Sequence, residues 1–354
     1  MSNIDKIRQA LPEYKCNAML ITNQVNRLYA TGFSSSAGAL LVTGDSAWYF
    51  VDSRYTEAAG SSIKDAHIVQ TTNDDNTAIK INEILRDKKI TSIGFEDSSF
   101  SYASYQKWND KLDAEMIPAQ KLLGNLRAVK SRKDLQKMIN AQRLAENVFE
   151  EILPLISTSI TEKDLAAEII YRSLRNGADD KSFDPIVVSG SKSSLPHGVP
   201  GNEKISKGFL TIDFGIKLEG WCSDTTRTLC VGTPDDEMKK VYETVLAAQK
   251  AGIESMHGGV KGIDVDIAAR NVINKAGYSD YFCHGFGHSI GMEVHESPNA
   301  SQLSEETLPA GTVISAEPGI YLPGRFGVRI EDVLYITKSG SENITKLPKE
   351  LIVL

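Results

Sequence analysis

The sequence predicts an α+β fold built from two domains. Its 354 residues exceed the length at which a single hydrophobic core stops growing, about 250–300 residues. Short strand patterns alternate with helix patterns in the first third of the chain, whereas long helices and separate strand pairs follow. We therefore expect a smaller mixed α/β domain at residues 1–122, a linker at 123–131 and a larger α+β domain at 132–354.

Elements of the first domain follow from the spacing of its apolar residues. Helix patterns occur at residues 76–89 and from Tyr102 onward. Gly124 and Asn125 interrupt the pattern that follows, which places the domain boundary near them. Strands are expected at 18–22, 39–44 and 47–52.

Start and stop signals delimit the helices of the second domain. Ser131 and Thr161 can cap helices at their first turns, and Thr233, followed by proline and acidic residues, is a third such signal. Gly177 and Gly277 can end two of the helices. Strands are expected at 209–220, 221–232, 312–322 and 327–337.

Composition excludes several classes of protein. A net charge of −7 and an isoelectric point near 5.5 disfavour nucleic acid or an anionic membrane as the main partner. No apolar run approaches the roughly 18 residues of a membrane helix, and the first residues contain no signal-peptide pattern. The four cysteines show no C-x-x-C spacing, so we expect free, buried thiols and a cytoplasmic location.

Three of the six histidines lie in the stretch HGFGHSIGMEVHE, at positions 284, 288 and 295. Two histidines four residues apart are typical of a helical zinc pair. The three glycines between 284 and 296 argue against a helix, because each weakens one by roughly 1 kcal/mol. If these histidines are ligands, a strand or loop presents them, and further ligands come from elsewhere in the chain.

A pair of aspartates flanks a predicted hairpin. Asp213 lies in the strand pattern LTIDFG, and Asp224 lies in CSDTTRT on the strand that returns. A turn centred between Leu218 and Glu219 would place the two aspartates directly opposite each other, with Cβ atoms roughly 4.5–5.5 Å apart. Like charges at that distance repel each other, and burial would also remove their hydration. A cation is expected to neutralise them.

Two glutamates repeat this arrangement. Glu317 in SAEPGIY and Glu331 in VRIEDV would face each other across a hairpin whose turn is centred on Gly324. Four carboxylates and one imidazole form a set too acidic for a single structural zinc ion. Such a set suits a pair of divalent cations bridged by carboxylates.

Each of these residues also has an ordinary interpretation. A lone strand aspartate is usually a turn residue, an edge charge or a salt-bridge partner. A lone buried histidine is more often hydrogen-bonded in the core than bound to a metal. The five residues together favour a metal site, because paired like charges need a cation.

At these motifs the sequence resembles the pita-bread metallopeptidases, and within them the proline-specific branch of aminopeptidase P and prolidase. The motifs occur in the same order: PHG, IDFG with SDTTRT, HGFGHSIGMEVHE, AEPGIY and VRIEDV. The segments TGFSSSAGALLVT and FVDSRYTEAA resemble the smaller N-terminal domain of that branch. The resemblance implies a creatinase-like N-terminal α/β domain followed by a pita-bread catalytic domain of the α+β class.

Carried over position by position, the resemblance implies a dinuclear metal site. Its ligands would be four carboxylates and one imidazole, namely Asp213, Asp224, His288, Glu317 and Glu331. Asp213 would chelate one ion, and His288 and Glu317 would bind the other. Asp224 and Glu331 would bridge the two ions.

The resemblance also implies roles for residues around the metals. Glu317 would pass a proton to the leaving nitrogen, and His197 and His295 would contact the substrate or its tetrahedral intermediate. Substrate-binding roles are implied for three further residues: His284 in the pocket, and Arg329 and Tyr321 either in the pocket or supporting the residues that form it. Arg329 could instead simply pair with a nearby acid, and Tyr321 could be a packing residue.

The activity implied is that of an Xaa-Pro aminopeptidase, which hydrolyses the Xaa-Pro bond at the N-terminus of peptides with proline second. An alternative with the same chemistry is an Xaa-Pro dipeptidase (prolidase). Outside the class, the alternative is a metal-free pita-bread binding protein, against which the intact ligand set argues. The cofactor would be two divalent ions per subunit, Mn²⁺ with Co²⁺ or Zn²⁺ as alternatives. A homodimer is expected, because the N-terminal domain of this branch commonly helps close a neighbour's active site.

Overall fold

The computed structural model describes residues 1–354, which divide into two units, Met1–Arg127 and Ala128–Leu354. The boundary between these units lies within the segment predicted as a linker, 123–131. Residues Gln120–Ala128 form a helix, and Gly124 and Asn125 lie inside it. One isolated glycine weakens a helix by only about 1 kcal/mol, which the burial of Leu122 and Leu123 on this helix offsets.

The first unit contains six helices and six strands. Its helices are α1 (Asn3–Ala10), α2 (Gln24–Thr31), α3 (Thr56–Ser62), α4 (Asp74–Asp87), α5 (Tyr102–Asn109) and α6 (Gln120–Ala128). Its strands are β1 (Ala18–Ile21), β2 (Ala39–Thr43), β3 (Ala47–Val51), β4 (His67–Gln70), β5 (Ser92–Phe95) and β6 (Glu115–Pro118).

These strands form one mixed sheet in the order β4-β3-β2-β1-β5-β6. Strand β1 is apolar throughout because both faces of the sheet are covered. Met19 and Ile21 pack into a core that includes α1, whereas Ala18 and Leu20 pack into the core on the opposite face, which includes α4. The predicted mixed α/β organisation of this domain is the observed one.

The second unit contains longer helices, and its named strand pairs are antiparallel. Its helices are α7 (Arg132–Ile152), α8 (Glu162–Arg175), α9 (Asp236–Ser255) and α10 (Gly262–Lys275). Its first strands are β7 (Asp180–Lys181), β8 (Ile186–Ser189), β9 (Gly208–Phe214), β10 (Ile216–Leu218), β11 (Trp221–Cys222) and β12 (Thr225–Val231). The remaining strands are β13 (Gly287–Ser289), β14 (Glu296–Ala300), β15 (Val313–Ala316), β16 (Gly319–Leu322), β17 (Phe326–Arg329), β18 (Asp332–Ile336) and β19 (Ser341–Asn343).

Capping side chains begin three of these four helices, α7, α8 and α9, and most of the predicted signals are confirmed. Ser131 and Thr161 each form a capping box at the start of α7 and α8. Gly177 follows α8 with a φ of 105°. Helix α9 differs from the prediction, because Asp235 caps it two residues after Thr233, its side chain accepting from the Met238 N–H.

Two sheets bring their apolar faces against separate pairs of helices. Strands β12-β9-β8 pack against α7 and α8, where Phe149 and Leu165 meet Ile212. The five-stranded sheet β14-β13-β15-β18-β19 packs against α9 and α10, where Val245 and Ile314 are buried in one core. Helices and antiparallel strands thus form separate layers that pack against each other, as the α+β prediction required.

The cysteine prediction is confirmed in one respect and wrong in another. All four cysteines are free thiols, but Cys283 is exposed while the other three are buried. No helix is both long and apolar enough to span a membrane.

Candidate metal centre and active site

The first hairpin brings Asp213 and Asp224 together in a register that differs from the predicted one. Its turn lies at Glu219 and Gly220, which have φ values of 49° and 79°, the positive values that a two-residue hairpin favours. Asp213 therefore pairs with Thr226, and the prediction that it lies directly opposite Asp224 is wrong. Asp224 is two residues before that partner, and since side chains alternate along a strand, it keeps the same face.

The second hairpin has the predicted register. Glu317 and Glu331 lie at the junction between two strand pairs, β15 with β18 and β16 with β17. In both pairs the facing residues are equally distant from Gly324 along the chain, for example Ala316 with Asp332 and Gly319 with Arg329, so the turn is centred on Gly324. The two glutamates therefore occupy opposite positions, as predicted.

Two glycines let backbone segments approach closely beside the site. A Cβ at Gly215 would lie 2.0 Å from the carbonyl oxygen of the residue before Asp224. A Cβ at Gly287 would lie 2.0 Å from the carbonyl oxygen of Ser315, across the sheet. Any side chain at either position would push these segments apart and displace Asp224 or His288.

The five predicted ligands form one continuous cluster. Carboxylate oxygens of Asp213, Asp224 and Glu331 all lie within 4.8 Å of one another. The His288 Nε2 atom is 3.7 Å from Asp224 Oδ2 and 3.1 Å from Glu317 Oε1. Four acidic side chains and one imidazole thus converge from strands that are far apart in the sequence.

Burial and mutual repulsion disfavour the charged forms of three of these carboxylates. Burial raises the pKa of Asp224 well above its ordinary value, and the charges of Asp213 and Glu317 raise it further. Burial likewise raises the pKa of Glu331, with Asp224 adding to the effect. Burial also raises the pKa of Asp213, although the guanidinium of Arg329, 2.6 Å from Asp213 Oδ2, opposes this rise.

Glu317 and His288 form an ion pair within the same cluster. Burial alone would raise the pKa of Glu317, but the hydrogen bond and charge of His288 outweigh it and lower the pKa to about 2. Burial likewise opposes protonation of His288, yet Glu317 raises its pKa to about 9. Glu317 is therefore ionised at neutral pH, and His288 must release a proton before it can bind a metal.

Two buried carboxylate oxygens in the cluster have no hydrogen-bond partner: Asp213 Oδ1 and Glu331 Oε1. The second oxygen of each is engaged, by Arg329 Nη2 at 2.6 Å and by Thr226 Oγ1 at 2.8 Å respectively. An unsatisfied buried polar atom costs about 1–3 kcal/mol, and more when it is charged. Two partnerless acidic oxygens in a cluster of four carboxylates fit divalent cations, whose preferred ligands are oxygen atoms.

The cluster lies in a cavity of about 650 Å³. All five proposed ligands line it, together with His197, His284, His295 and Arg329. Apolar and proline residues form much of the remaining wall, among them Phe183, Pro185, Ile186, Val199 and Val294. The cavity therefore offers an apolar binding surface around a strongly acidic centre.

Comparison with known proteins assigns the chain to a family. Residues 136–338 match metallopeptidase family M24, and residues 3–129 match the creatinase/prolidase N-terminal domain. The chain belongs to metallopeptidase family M24. The predicted fold, a creatinase-like N-terminal domain before a pita-bread catalytic domain, is thereby confirmed.

Named relatives of this M24 chain match it over its full length. It is 36% identical over 357 residues to an Xaa-Pro dipeptidase of Pyrococcus horikoshii, covering 99% of this chain and 98% of that protein. Its structure matches that of an Xaa-Pro dipeptidase from Bacillus anthracis with a TM-score of 0.96 at 38% identity, covering 99% of both chains. An X-Pro aminopeptidase from Thermotoga maritima MSB8 matches with a TM-score of 0.91 at 32% identity, covering 98% of this chain and 100% of that one.

Tyr321 does not line the cavity and lies where a residue that supports the pocket would, one of the two positions that the resemblance implies for it. Its hydroxyl lies 2.9 Å from His284 Nε2 and accepts a hydrogen bond from Arg329 Nη1 at 2.8 Å. Burial lowers the pKa of His284, and its Nδ1 atom lies 2.8 Å from the carbonyl oxygen of Gly285. A neutral His284 donates from Nδ1, so the tyrosine hydroxyl donates to Nε2. Tyr321 thus orients His284 from behind.

His295 stands beside the proposed ligand His288, with ring centroids 4.3 Å apart. Burial lowers the pKa of His295, and the neighbouring charge of His288 lowers it further. A neutral imidazole keeps one N–H that can donate a hydrogen bond into the cavity. His295 and His197 are both exposed residues of the cavity wall, as a substrate-contacting role requires.

Several residues of the M24 site escaped sequence reasoning. Thr226 supports Glu331, and the Ser315 hydroxyl accepts from the His288 N–H at 2.9 Å and donates to Glu317 Oε1 at 3.0 Å. Strand alternation could have found Thr226, because it shares a face with Asp224. Nothing in the sequence pattern marks the wall residues Phe183, Ile186, Asn299 and Ser301 as neighbours of the metal ligands.

Proposed function

We propose that this chain is a metal-dependent Xaa-Pro dipeptidase, which hydrolyses dipeptides with proline in the second position. The observation that carries the proposal is the cluster of carboxylates with two partnerless oxygens, in a chain that matches Xaa-Pro dipeptidases over its full length. The sequence motifs alone favoured an aminopeptidase, with the dipeptidase as the alternative. The relatives give more support to the alternative than to the aminopeptidase.

The proposed cofactor is a pair of divalent ions. Five residues would hold them, Asp213, Asp224, His288, Glu317 and Glu331. Bound there, such ions supply Lewis acidity and bring the pKa of a water molecule toward neutrality. Mn²⁺ is our proposal for the metal, with Co²⁺ and Zn²⁺ as alternatives, since ligand type alone does not select among them.

Side chains of the cavity would carry out proton transfer, stabilise the developing oxyanion and bind the proline ring. Glu317 would accept a proton from water and return it to the leaving nitrogen of proline, the part that the resemblance implies for it. His295 and His197 donate hydrogen bonds to the oxygen of the scissile carbonyl as negative charge develops there. His284, held by Tyr321, contributes to the pocket for the proline ring. Proline supplies a tertiary amide nitrogen, which explains the need for a dedicated pocket.

One observation favours a second candidate, the Xaa-Pro aminopeptidase. Arg329 is the only arginine or lysine that lines the cavity, and it is already paired with Asp213. The C-terminal carboxylate of a dipeptide would therefore find no unpaired lysine or arginine in this cavity. A longer peptide places its carboxylate outside, and a cavity of about 650 Å³ has room for more than two residues.

A substrate-length series distinguishes the two activities. Purified enzyme with Mn²⁺ is assayed against Ala-Pro, Ala-Pro-Gly and Ala-Pro-Gly-Gly, and kcat/KM is compared. A dipeptidase cleaves Ala-Pro at least tenfold better than the longer peptides. Equal or better cleavage of the longer peptides would favour the aminopeptidase. Cleavage of Ala-Ala as well as Ala-Pro would contradict proline specificity altogether.

The homodimer and the cytoplasmic location stay proposals from the sequence. Sedimentation of the purified protein and fractionation of cells that express it would test them.

A further inference from the structure

A buried glutamate lies outside the metal cluster and has no role in the chemistry described so far. Glu162 is the first residue of α8 and is 1% exposed. A glutamate in the first turn of a helix ordinarily remains in solvent, where it interacts favourably with the helix dipole. Glu162 instead turns inward, and all its side-chain hydrogen bonds reach residues outside its own helix.

The carboxylate of Glu162 joins the two ends of one loop. Its Oε1 accepts from the N–H of Ser189 at 2.7 Å and from the Ser189 hydroxyl at 3.0 Å. Its Oε2 accepts from the N–H of Gly201 at 3.1 Å and from Lys192 Nζ at 2.6 Å. Ser189 immediately precedes, and Gly201 immediately follows, residues 190–200, which we call the His197 loop.

The middle of the His197 loop forms part of the cavity wall. Its five residues from Pro196 to Pro200 all line the cavity. The carbonyl oxygen of Pro196 accepts from Arg329 Nη1 at 3.1 Å, and the hydroxyl of Ser193 accepts from the N–H of Gly327 at 2.9 Å. These contacts fix the middle of the loop to the second hairpin. The two ends of the loop are joined by a single side chain, that of Glu162.

We propose that Glu162 is a positioning residue, which closes the His197 loop and thereby sets the place of His197 in the cavity. The proposal rests on the proposed function for the part that His197 plays in the reaction. Hydrogen bonds to a charged carboxylate are about twice as strong as neutral ones, and this carboxylate is shielded from water. Losing its charge weakens the link between the two loop ends, which then depend on the pairing of Ser189 with Leu210 and on the Lys163 N–H that donates to the Gly201 carbonyl. The metal ligands keep their own supports.

Glu162→Gln is the most selective perturbation. The amide retains the volume of the side chain and one acceptor oxygen. Its NH₂ group replaces the other acceptor oxygen and so faces donor groups, with which it cannot form hydrogen bonds. We expect kcat to fall by about 10–100-fold, within the limit of about 10²–10³-fold expected for losing an oxyanion donor outright. Metal content and KM should change little. Glu168→Gln is the matched control, because Glu168 lies on the same helix, is half exposed and contacts only Arg172.

A double-mutant cycle with His197→Ala tests whether Glu162 acts through His197. If it does, adding Glu162→Gln to His197→Ala should change kcat by less than about twofold, because the positioned group is already absent. A purely structural role would lower kcat by the same factor in both backgrounds, and that result would overturn the proposal. Lys192→Met, which removes one donor to Glu162, should shift kcat in the same direction by a smaller factor and serves if Glu162→Gln does not fold.

Hydrogen exchange supplies a measurement that needs no substrate. In Glu162→Gln the amides of residues 189–201 should exchange roughly tenfold faster or more, while those of β9 and β12 stay protected. Unchanged exchange in residues 189–201 would refute the closure of the loop by Glu162. If the wild type fails to cleave Xaa-Pro peptides but exchange responds as expected, the proposed function is wrong and the closure of the loop stands.

Discussion

Replacing Asp224 with asparagine separates the metal-binding role of this carboxylate from its effect on the metal-free protein. Asp224 is 4% exposed, and its carboxylate oxygen lies within 4.8 Å of oxygens of two other carboxylates, those of Asp213 and Glu331. Burial and the neighbouring charges raise its pKa well above the ordinary value, so its ionised form destabilises the fold. Asparagine has almost the same volume and carries no charge. The metal-free Asp224→Asn protein should therefore be at least as stable as the metal-free wild type.

With metal bound, the wild type should be more stable than the Asp224→Asn variant. A ligand at about 100 times its dissociation constant stabilises a protein by about 2.7 kcal/mol. Each kcal/mol raises the melting temperature of a 150–250-residue unit by about 2–4 °C, and the catalytic unit, Ala128–Leu354, is within that size range. Wild type should therefore gain about 5–11 °C with saturating Mn²⁺ or Co²⁺. The variant should gain less than half as much and show no peptidase activity, because a neutral amide bridges two cations poorly.

A thermal-shift titration beside a peptidase assay measures both effects. Asp184→Asn is the control, since Asp184 also lines the cavity but is paired with Lys181 outside the cluster, and it should keep the full metal-dependent gain. An active Asp224→Asn enzyme, or one stabilised by metal as much as wild type, would refute the dinuclear site. A variant destabilised without metal would point instead to a structural role for Asp224.

Three further outcomes follow from the site. His295→Ala should lower kcat by about 10²–10³-fold with unchanged metal content, as for an oxyanion donor, and loss of metal measured by mass spectrometry would show it to be a ligand. The melting-temperature gain from Mn²⁺ should grow as pH rises from about 5 to 8. Because the pKa values of Asp224 and Glu331 are raised in the fold, protonation of these carboxyls stabilises the protein without metal, fully so below the ordinary carboxyl pKa of about 4. This stabilisation is lost as pH rises through the raised pKa values. Metal binds the ionised carboxylates, so its stabilising effect increases over the same rise in pH. A pH-independent gain would contradict this linkage. Tyr321→Phe should raise KM more than it lowers kcat, since it orients His284 without lining the cavity, and a loss of kcat as large as that of His295→Ala would place it in the chemistry instead.

Sequence patterns predicted the two hairpins but not both registers. The register of the second hairpin was predicted correctly: both of its strand pairs are centred on Gly324, which places Glu317 opposite Glu331. The first was wrong because Glu219 adopts a positive φ, which non-glycine residues seldom do and which no local pattern indicates. The error moved the partner of Asp213 by two residues. Both aspartates still lie on the same face of the sheet, so the predicted cluster of carboxylates does not depend on the predicted register.

Residues that act through tertiary contacts were the ones sequence reasoning could not find. Tyr321 lies in a recognisable motif, yet only the fold shows that it stands behind His284. Nothing in the neighbours of Glu162 along the chain indicates its contact with Ser189 and Gly201. Gly124 was read as a helix breaker, whereas burial of the adjacent leucines keeps α6 intact. Local patterns predict what a segment can form, and packing decides which possibility is realised.

Removal and return of metal tests the dinuclear peptidase most directly. The enzyme is stripped with a chelator, and the rate of proline release from Ala-Pro is followed as Mn²⁺ is added in steps below the protein concentration and above it. We expect no proline release without metal and a return of full activity as two ions per chain are bound. Activity that persists in the stripped enzyme, or that is complete with one ion per chain, would contradict the role assigned to the five-residue cluster.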